Sequence, residues 1–140
     1  MAELSKQGLI ELADAKLADA KLLLESGKSA NAYYLAGYTI ELMLKAILSK
    51  RFQADTLPDP SWSKGVFIHD LRKLVNLALL DEALRIKLDT NAEFTARWQI
   101  VEEWNETSRY DVRLRDDAEK LIEAIEHAEH GVLPWLRTML

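Results

Sequence analysis

Residues 30–48 read ANAYYLAGYTIELMLKAIL, and this stretch decides the fold. It is apolar on nearly every side of a helix, a pattern typical of a helix buried in the middle of a bundle. It also carries Glu41 and Lys45 one turn apart, with the acid first, which is the favourable order for an ion pair. Because buried charges are tolerated when they are paired or functional, the stretch predicts a central helix with a deliberate polar site.

Composition limits the class of protein. A chain of 140 residues predicts one domain, residues 1–140, that is long enough to bury a core. Hydrophobic residues make up 49% and charged residues 29%, which argues for a globular rather than a disordered chain. Without cysteine there is neither a disulfide scaffold nor a thiolate zinc site, and a cytoplasmic location is expected. The net charge of −5 argues against a broad surface for duplex DNA.

The sequence does not suggest a membrane partner. The first residues read MAELSKQGLIELAD, and the acids Glu3, Glu11 and Asp14 interrupt any apolar run, so we expect no signal peptide. No stretch approaches the roughly 20 apolar residues that span a bilayer. We therefore expect no membrane association.

Periodic apolar residues divide the chain into helices, and no segment alternates with the period of a strand. We predict helices over Ser5–Ser26, Asn31–Phe52, Asp70–Leu79, Asp81–Leu88, Asn91–Glu106 and Asp116–Ala128, before a final segment split by Gly131 and Pro134. A long loop, Gln53–Ile68, holds Trp62, which is either folded onto the bundle or exposed for a partner. The short connections predict an all-α, antiparallel up-and-down bundle of four to five main helices.

The segment Thr107–Leu114, TSRYDVRL, interrupts the helical pattern and concentrates positive charge in an acidic chain. Arg109 and Arg113 lie within it, and Arg115 follows at the start of the next helix. Arginine suits bidentate phosphate contact, and a helix N-terminus favours anions. The alternative is that Arg109 pairs with Glu106 or Asp111 as an ordinary surface ion pair.

Three histidines could act as acid–base groups, and none lies in a tight motif. His69 falls at the start of the third predicted helix, where it is either a neutral base or a packed polar residue at the loop exit. His127 and His130 share a segment with Glu123 and Glu126, at a spacing that could chelate a metal. Since the opposite face carries the apolar stripe, we interpret these four residues as a solvated face and predict neither a metal nor a cofactor.

Several pieces of the chain together resemble the HEPN domain family. They are LLLESGKSANAYYLAGYTIELMLKAIL at residues 22–48, HDLRKL at 69–74, WNETSRYD at 104–111, and a closing amphipathic helix with Trp135. The resemblance covers almost the whole chain. It implies a helical bundle that pairs as a homodimer, with a cleft near the two-fold axis where polar residues of both subunits meet.

The resemblance also implies a function linked to RNA or nucleotides. Many family members are similar to metal-independent RNases built around Arg-x(4–6)-His, in which His deprotonates the RNA 2′-hydroxyl and Arg stabilises the phosphorane. Here Arg109 matches the Arg, but the His positions hold Leu114, Arg115 and Asp116. The pair Arg109-Tyr110 instead resembles a branch that is often encoded beside a nucleotidyltransferase in toxin–antitoxin-like systems.

Three functional hypotheses follow from these observations. In the first, a non-catalytic dimer binds a nucleotide or RNA end through Arg109, Tyr110 and Arg113, over a floor shaped by Glu41 and Lys45. In the second, the chain is an RNase toxin that uses His69 in place of the missing motif His, with Arg109 as the other catalytic candidate. In the third, the polar residues form a buried network that sets the register of a structural or regulatory module.

Overall fold

The computed structural model describes residues 5–51 and 68–140. Within these ranges the chain forms seven α-helices, two 3₁₀ helices and no strand, which confirms the all-α prediction. The α-helices are α1 (Lys6–Glu25), α2 (Ser29–Leu48), α3 (Leu71–Leu77), α4 (Asp81–Thr90), α5 (Ala92–Glu102), α6 (Arg115–Glu126) and α7 (Val132–Arg137). The 3₁₀ helices are Ser49–Arg51 and Glu106–Tyr110.

The predicted central helix is α2. Thirteen of its twenty residues are buried, and it packs against α1, α3, α6, α7 and the second 3₁₀ helix. Thr39, which is fully buried, donates a hydrogen bond to the carbonyl of Ala13 in α1 at 3.1 Å. A helix surrounded by others on this many sides needs apolar side chains all round, which explains the composition of residues 30–48.

The helix ends follow the sequence signals. Gly27 adopts φ +77° between α1 and α2, and the Lys28 N–H bonds the Leu23 carbonyl at 2.8 Å, as in a Schellman turn. Asp70 caps α3 by accepting from the Lys73 N–H at 3.1 Å, and Asn91 caps α5 through the Phe94 N–H at 2.9 Å. The predicted start at Asn91 is therefore confirmed, and Gly27 ends the first helix directly after its predicted last residue, Ser26.

Close helix packing at Gly37 sets the position of one tryptophan. A Cβ built on Gly37 would overlap the indole ring of Trp104, so the ring lies directly on the α2 backbone. Trp104 is only 2% exposed, and its ring also packs against Tyr34 with centroids 6.0 Å apart. The chain that follows Trp104 is thereby held along α2, which is where the candidate site lies.

The predicted boundaries near the site were only partly right. The helix predicted to end at Glu106 ends at Glu102, because Trp104 leaves the helical path to reach Gly37. The predicted break at Thr107–Leu114 begins with ordered structure, since Glu106–Tyr110 is a 3₁₀ helix capped by Asn105. The second predicted helix is α-helical to Leu48 and continues as the 3₁₀ helix Ser49–Arg51. Phe52 and residues 53–67 of the predicted loop, Trp62 among them, lie outside the described residues.

Candidate functional site

The polar spot predicted on α2 is the centre of a charged network. The Glu41 side chain is fully buried, and Lys45 Nζ lies 3.2 Å from its Oε2. His69 Nδ1 lies 3.1 Å from the same oxygen, and His69 Nε2 lies 3.5 Å from Glu106 Oε2. Because the Glu41 carboxylate accepts from two side chains, the buried charge is compensated. The network joins α2, the entry to α3 and the 3₁₀ helix.

His69 has a defined orientation within this network. The Glu41 carboxylate can only accept hydrogen bonds, so His69 Nδ1 donates to it and carries a proton. Its other nitrogen, Nε2, is directed to Glu106 on the opposite side. A carboxylate that fixes the tautomer of an imidazole is the arrangement found in hydrolytic dyads and triads.

Beside this network lies an open cleft of about 1040 Å³ between the start of α3 and the chain around Trp104. Charged and polar side chains line it, including His69, Lys73, Glu103 and Glu106. Trp104 also lines it, and the Trp104 Nε1 donor is buried with no acceptor in the described part of the chain. The cleft has room for a ligand the size of a nucleotide.

Arg109 stands out among the arginines. Six others form ion pairs with carboxylates at 2.6 to 3.4 Å: Arg72, Arg85, Arg97, Arg113, Arg115 and Arg137. Among the described residues Arg109 has no such partner, because Glu106 faces His69 and Asp111 pairs with Arg113. The predicted alternative, an ion pair from Arg109 to Glu106 or Asp111, is therefore not formed.

Tyrosines surround Arg109 instead. Its guanidinium lies over the Tyr110 ring, 4.8 Å from the centroid, and Tyr110 is 75% exposed. The Tyr110 phenol raises the pKa of Arg109 above its usual value. The Tyr34 phenol in α2 has the same effect to a smaller extent. An exposed cation beside aromatic faces, without a carboxylate to neutralise it, is available to an anion that also carries a ring.

Arg113 has a different environment from Arg109. Its guanidinium stacks on the buried Tyr33 ring at 4.3 Å, and its Nη2 lies 3.2 Å from Asp111 Oδ2. Burial raises the pKa of the Tyr33 phenol, and the nearby Arg113 partly offsets this. The guanidinium is thus engaged within the protein and has fewer free N–H groups than that of Arg109.

The site residues of α2 form one stripe. Tyr34, Tyr38, Glu41 and Lys45 recur at spacings of three and four, and so lie on one face. Burial is the main cause that raises the pKa of the Tyr38 phenol. The charge of Glu41 raises it next, and Tyr34 and Glu106 add smaller effects. Tyr34, Tyr38 and Glu106 are site residues that the sequence analysis missed. The helical spacing of the two tyrosines from Glu41 could have indicated them, whereas nothing local marked Glu106.

The histidine pair His127 and His130 lies away from this site. Glu123 and Glu126 are exposed as predicted, but His127 and His130 are half-buried in the turn between α6 and α7. His127 Nδ1 accepts the backbone N–H of His130 at 3.0 Å, so this side chain stabilises the turn. Within residues 5–51 and 68–140, no group of three or more acidic or histidine side chains is placed to hold a metal ion.

Comparison with known protein families agrees with this architecture. The model of the HEPN domain family matches residues 7–133, which is most of the chain. The protein therefore belongs to the HEPN domain family. No curated protein and no solved structure matches the chain. In the described ranges, no helix combines the length and the apolar character needed to cross a membrane.

Proposed function

We propose that this protein is a nucleotide- or RNA-binding HEPN dimer that is not itself a catalyst and acts with a nucleotidyltransferase partner in a toxin–antitoxin-like system. The observation that carries the proposal is Arg109, an exposed guanidinium with no carboxylate partner in the described chain. Arg109 binds a phosphate, and Tyr110 stacks on a base. Glu41 and Lys45 shape the floor beneath them, and Arg113 contributes at the edge of the site.

Substitution of Arg109 tests the proposal directly. Arg109→Gln is expected to weaken binding of ATP, GTP or a short single-stranded RNA by roughly 10- to 100-fold, because charge-assisted hydrogen bonds to phosphate are lost. Isothermal titration calorimetry in EDTA measures the affinities. Arg85→Gln is the matched control, since Arg85 is an exposed arginine paired only with Glu82 and Asp89 of its own helix. Equal affinities for native protein and Arg109→Gln would remove this role.

Dimerisation is supported by an apolar groove of about 430 Å³ between α1 and α2. Leu12, Leu35 and Leu42 line it together with Tyr34 and Tyr38, which belong to the site stripe. A second copy seated there covers apolar surface next to the site, so that both subunits contribute to one cleft.

Light scattering at micromolar concentration checks the dimer. The native protein is expected at twice the chain mass of 16.0 kDa, and Leu12→Asp is expected to shift it to the monomer, because a charge in an apolar interface is costly. Leu22→Asp serves as the control, since Leu22 lies on the same helix, 62% exposed and outside the groove. A native monomer would contradict the two-subunit site.

The Glu41–His69 dyad favours a second candidate, a metal-independent RNase with His69 as the base. Side chains three residues apart eclipse in a 3₁₀ helix, so Arg109 shares a face with Glu106, roughly 6 Å further along the axis. His69 Nε2 would accept the proton of a 2′-hydroxyl as its oxygen attacks the adjacent phosphorus. The P–O5′ bond would break, water would protonate the leaving oxygen, and Arg109 would stabilise the phosphorane.

Cleavage of a mixed RNA in EDTA separates the two candidates. The RNase candidate requires cleavage by the native protein and its near-complete loss in His69→Gln and in Arg109→Gln. The binding proposal predicts no cleavage by any of the three proteins. His127→Gln is a control for histidine loss away from the site, because His127 lies in the α6–α7 turn.

A further inference from the structure

The segment after the 3₁₀ helix exposes its apolar side chains and covers its arginine. Tyr110 is 75%, Val112 93% and Leu114 70% exposed, and we call these three residues the apolar strip. Between them, the Arg113 side chain is only 27% exposed and stacks on Tyr33. Val112 is thus exposed while the adjacent Arg113 is covered, although burial of the apolar side chain would be the more favourable arrangement.

The covered position of the Arg113 side chain is unfavourable within the monomer. Arg113 Nε is buried with no acceptor among the described residues, and an unsatisfied buried donor is unfavourable. Seven large hydrophobic side chains are exposed in the described chain, and three of them lie within residues 110–114. Since apolar patches on a monomer are commonly interaction sites, the outer side of the segment has the properties of a surface that is covered in a complex.

The backbone of the segment is also open. The Asp111 N–H bonds the Ser108 carbonyl at 3.1 Å, and the Leu114 N–H bonds Asp117 Oδ2 at 3.3 Å. Between these two anchors, neither the Val112 N–H nor the Arg113 N–H has an acceptor in the described structure. Asp111 and Leu114 both have extended backbone angles. The segment therefore offers a partner chain backbone N–H groups that have no acceptor within the described residues.

Charge indicates what the partner carries. Arg109, at the start of the strip, has no carboxylate partner in the described chain, whereas Arg115, after its other end, pairs with Glu119 and donates to the Leu24 carbonyl. One uncompensated cation beside an apolar strip fits a segment with an acidic residue next to alternate apolar side chains. Val112 and Leu114 offer a base neither a stacking ring nor a positive charge, so these two positions fit a protein better than RNA.

We infer that the apolar strip is a docking edge for an extended, acidic and apolar segment of a partner protein. The segment bonds one of the two open N–H groups, that of Val112 or that of Arg113, because successive N–H groups point to opposite edges of an extended chain. It covers Val112 and Leu114 and places a carboxylate on Arg109. This inference goes beyond the proposed function and holds whether the anionic ligand is a nucleotide or an RNA. It also means that the partner segment and an anionic ligand compete for Arg109.

Selection from a phage library of random linear peptides tests the inference with the intact chain. Native protein is expected to enrich peptides with apolar residues at alternate positions and a flanking acid. Synthetic versions of the enriched peptides should bind Val112→Ser/Leu114→Ser at least about tenfold more weakly than native protein, because the covered apolar area is lost. Leu22→Ser and Ile86→Ser, which remove exposed apolar side chains from α1 and α4, are the controls and should bind like native protein.

Each other outcome overturns the inference. If the enriched peptides bind the double serine variant as tightly as native protein, the strip is not the docking edge. If no peptide is enriched, the strip does not bind extended segments. If the double variant instead weakens binding of single-stranded RNA tenfold and leaves peptide binding unchanged, the strip is part of an RNA surface. Far-ultraviolet circular dichroism of the variants verifies that the fold is retained.

Discussion

Glu41→Ala is expected to lower the free energy of unfolding by roughly 3–5 kcal/mol, the range for breaking a buried ion pair by removal of one partner. The Glu41 side chain is fully buried, and the Lys45 side chain is only 10% exposed. Without the carboxylate, Lys45 is left as a buried charge and His69 loses the acceptor of its Nδ1 proton. Urea unfolding followed by circular dichroism measures the loss.

A double variant shows whether the missing charge is the cause. Glu41→Leu/Lys45→Met replaces the pair with apolar side chains of similar size and should recover most of the stability, since buried pairs are often replaceable in this way. The same double variant removes the floor of the proposed site, so its nucleotide affinity should stay low. A loss below about 1 kcal/mol for Glu41→Ala would place the carboxylate in contact with water and contradict the buried network.

Trp104→Ala is expected to cost roughly 3–5 kcal/mol as well, the range for removal of a buried aromatic side chain. Trp104 is 2% exposed, lies on the Gly37 backbone and packs against Tyr34, so its removal leaves a cavity between α2 and the chain that bears Arg109. Thermal and urea unfolding give the change in stability, and calorimetry with ATP gives the accompanying loss of affinity.

Trp104→Phe is the informative control for this position. The Trp104 Nε1 donor has no acceptor among the described residues, so phenylalanine removes ring volume without breaking a hydrogen bond. We therefore expect it to cost well under half as much as alanine. If Trp104→Phe is as unstable as Trp104→Ala, the indole N–H has a partner and the account of its environment is wrong.

The main features of the fold could be predicted because they rest on local patterns. The apolar composition of residues 30–48 predicted a buried α2, and the spacing of Glu41 and Lys45 predicted their ion pair, which is formed at 3.2 Å. Gly27 and Asn91 carried helix-end signals that depend on neighbouring residues alone. The family resemblance was likewise confirmed over residues 7–133.

The candidate site could be predicted only in part because its contacts are distant in sequence. His69 reaches Glu41 across 28 positions, and no local pattern indicates that distance. Glu106 enters the site because Trp104 ends α5 early to pack on Gly37, a packing event between separate elements. The sequence TSRYDVRL does not distinguish Arg109 from Arg113, yet in the structure Tyr33 and Asp111 contact Arg113 and not Arg109.

The two surfaces around Arg109 fit a protein that joins an anionic ligand to a protein partner. Along the chain, the residues that line the cleft end at Thr107 and the apolar strip begins at Tyr110. Since Arg109 lies between these two segments of the chain, a ligand that binds its guanidinium reduces the positive charge available to the partner protein. Coupling of this kind is reciprocal, so the partner segment should weaken ligand binding by the same factor.

The most direct test of the central claim is a nuclear magnetic resonance titration of isotope-labelled protein with ATP and with a short single-stranded RNA. The claim is that Arg109 and the tyrosines beside it bind the anionic ligand. We predict that the largest shifts fall on the Arg109 side chain, Tyr110 and Tyr34, and that they vanish in Arg109→Gln but persist in Arg85→Gln. Shifts that cluster elsewhere, or that survive in Arg109→Gln, would contradict the claim.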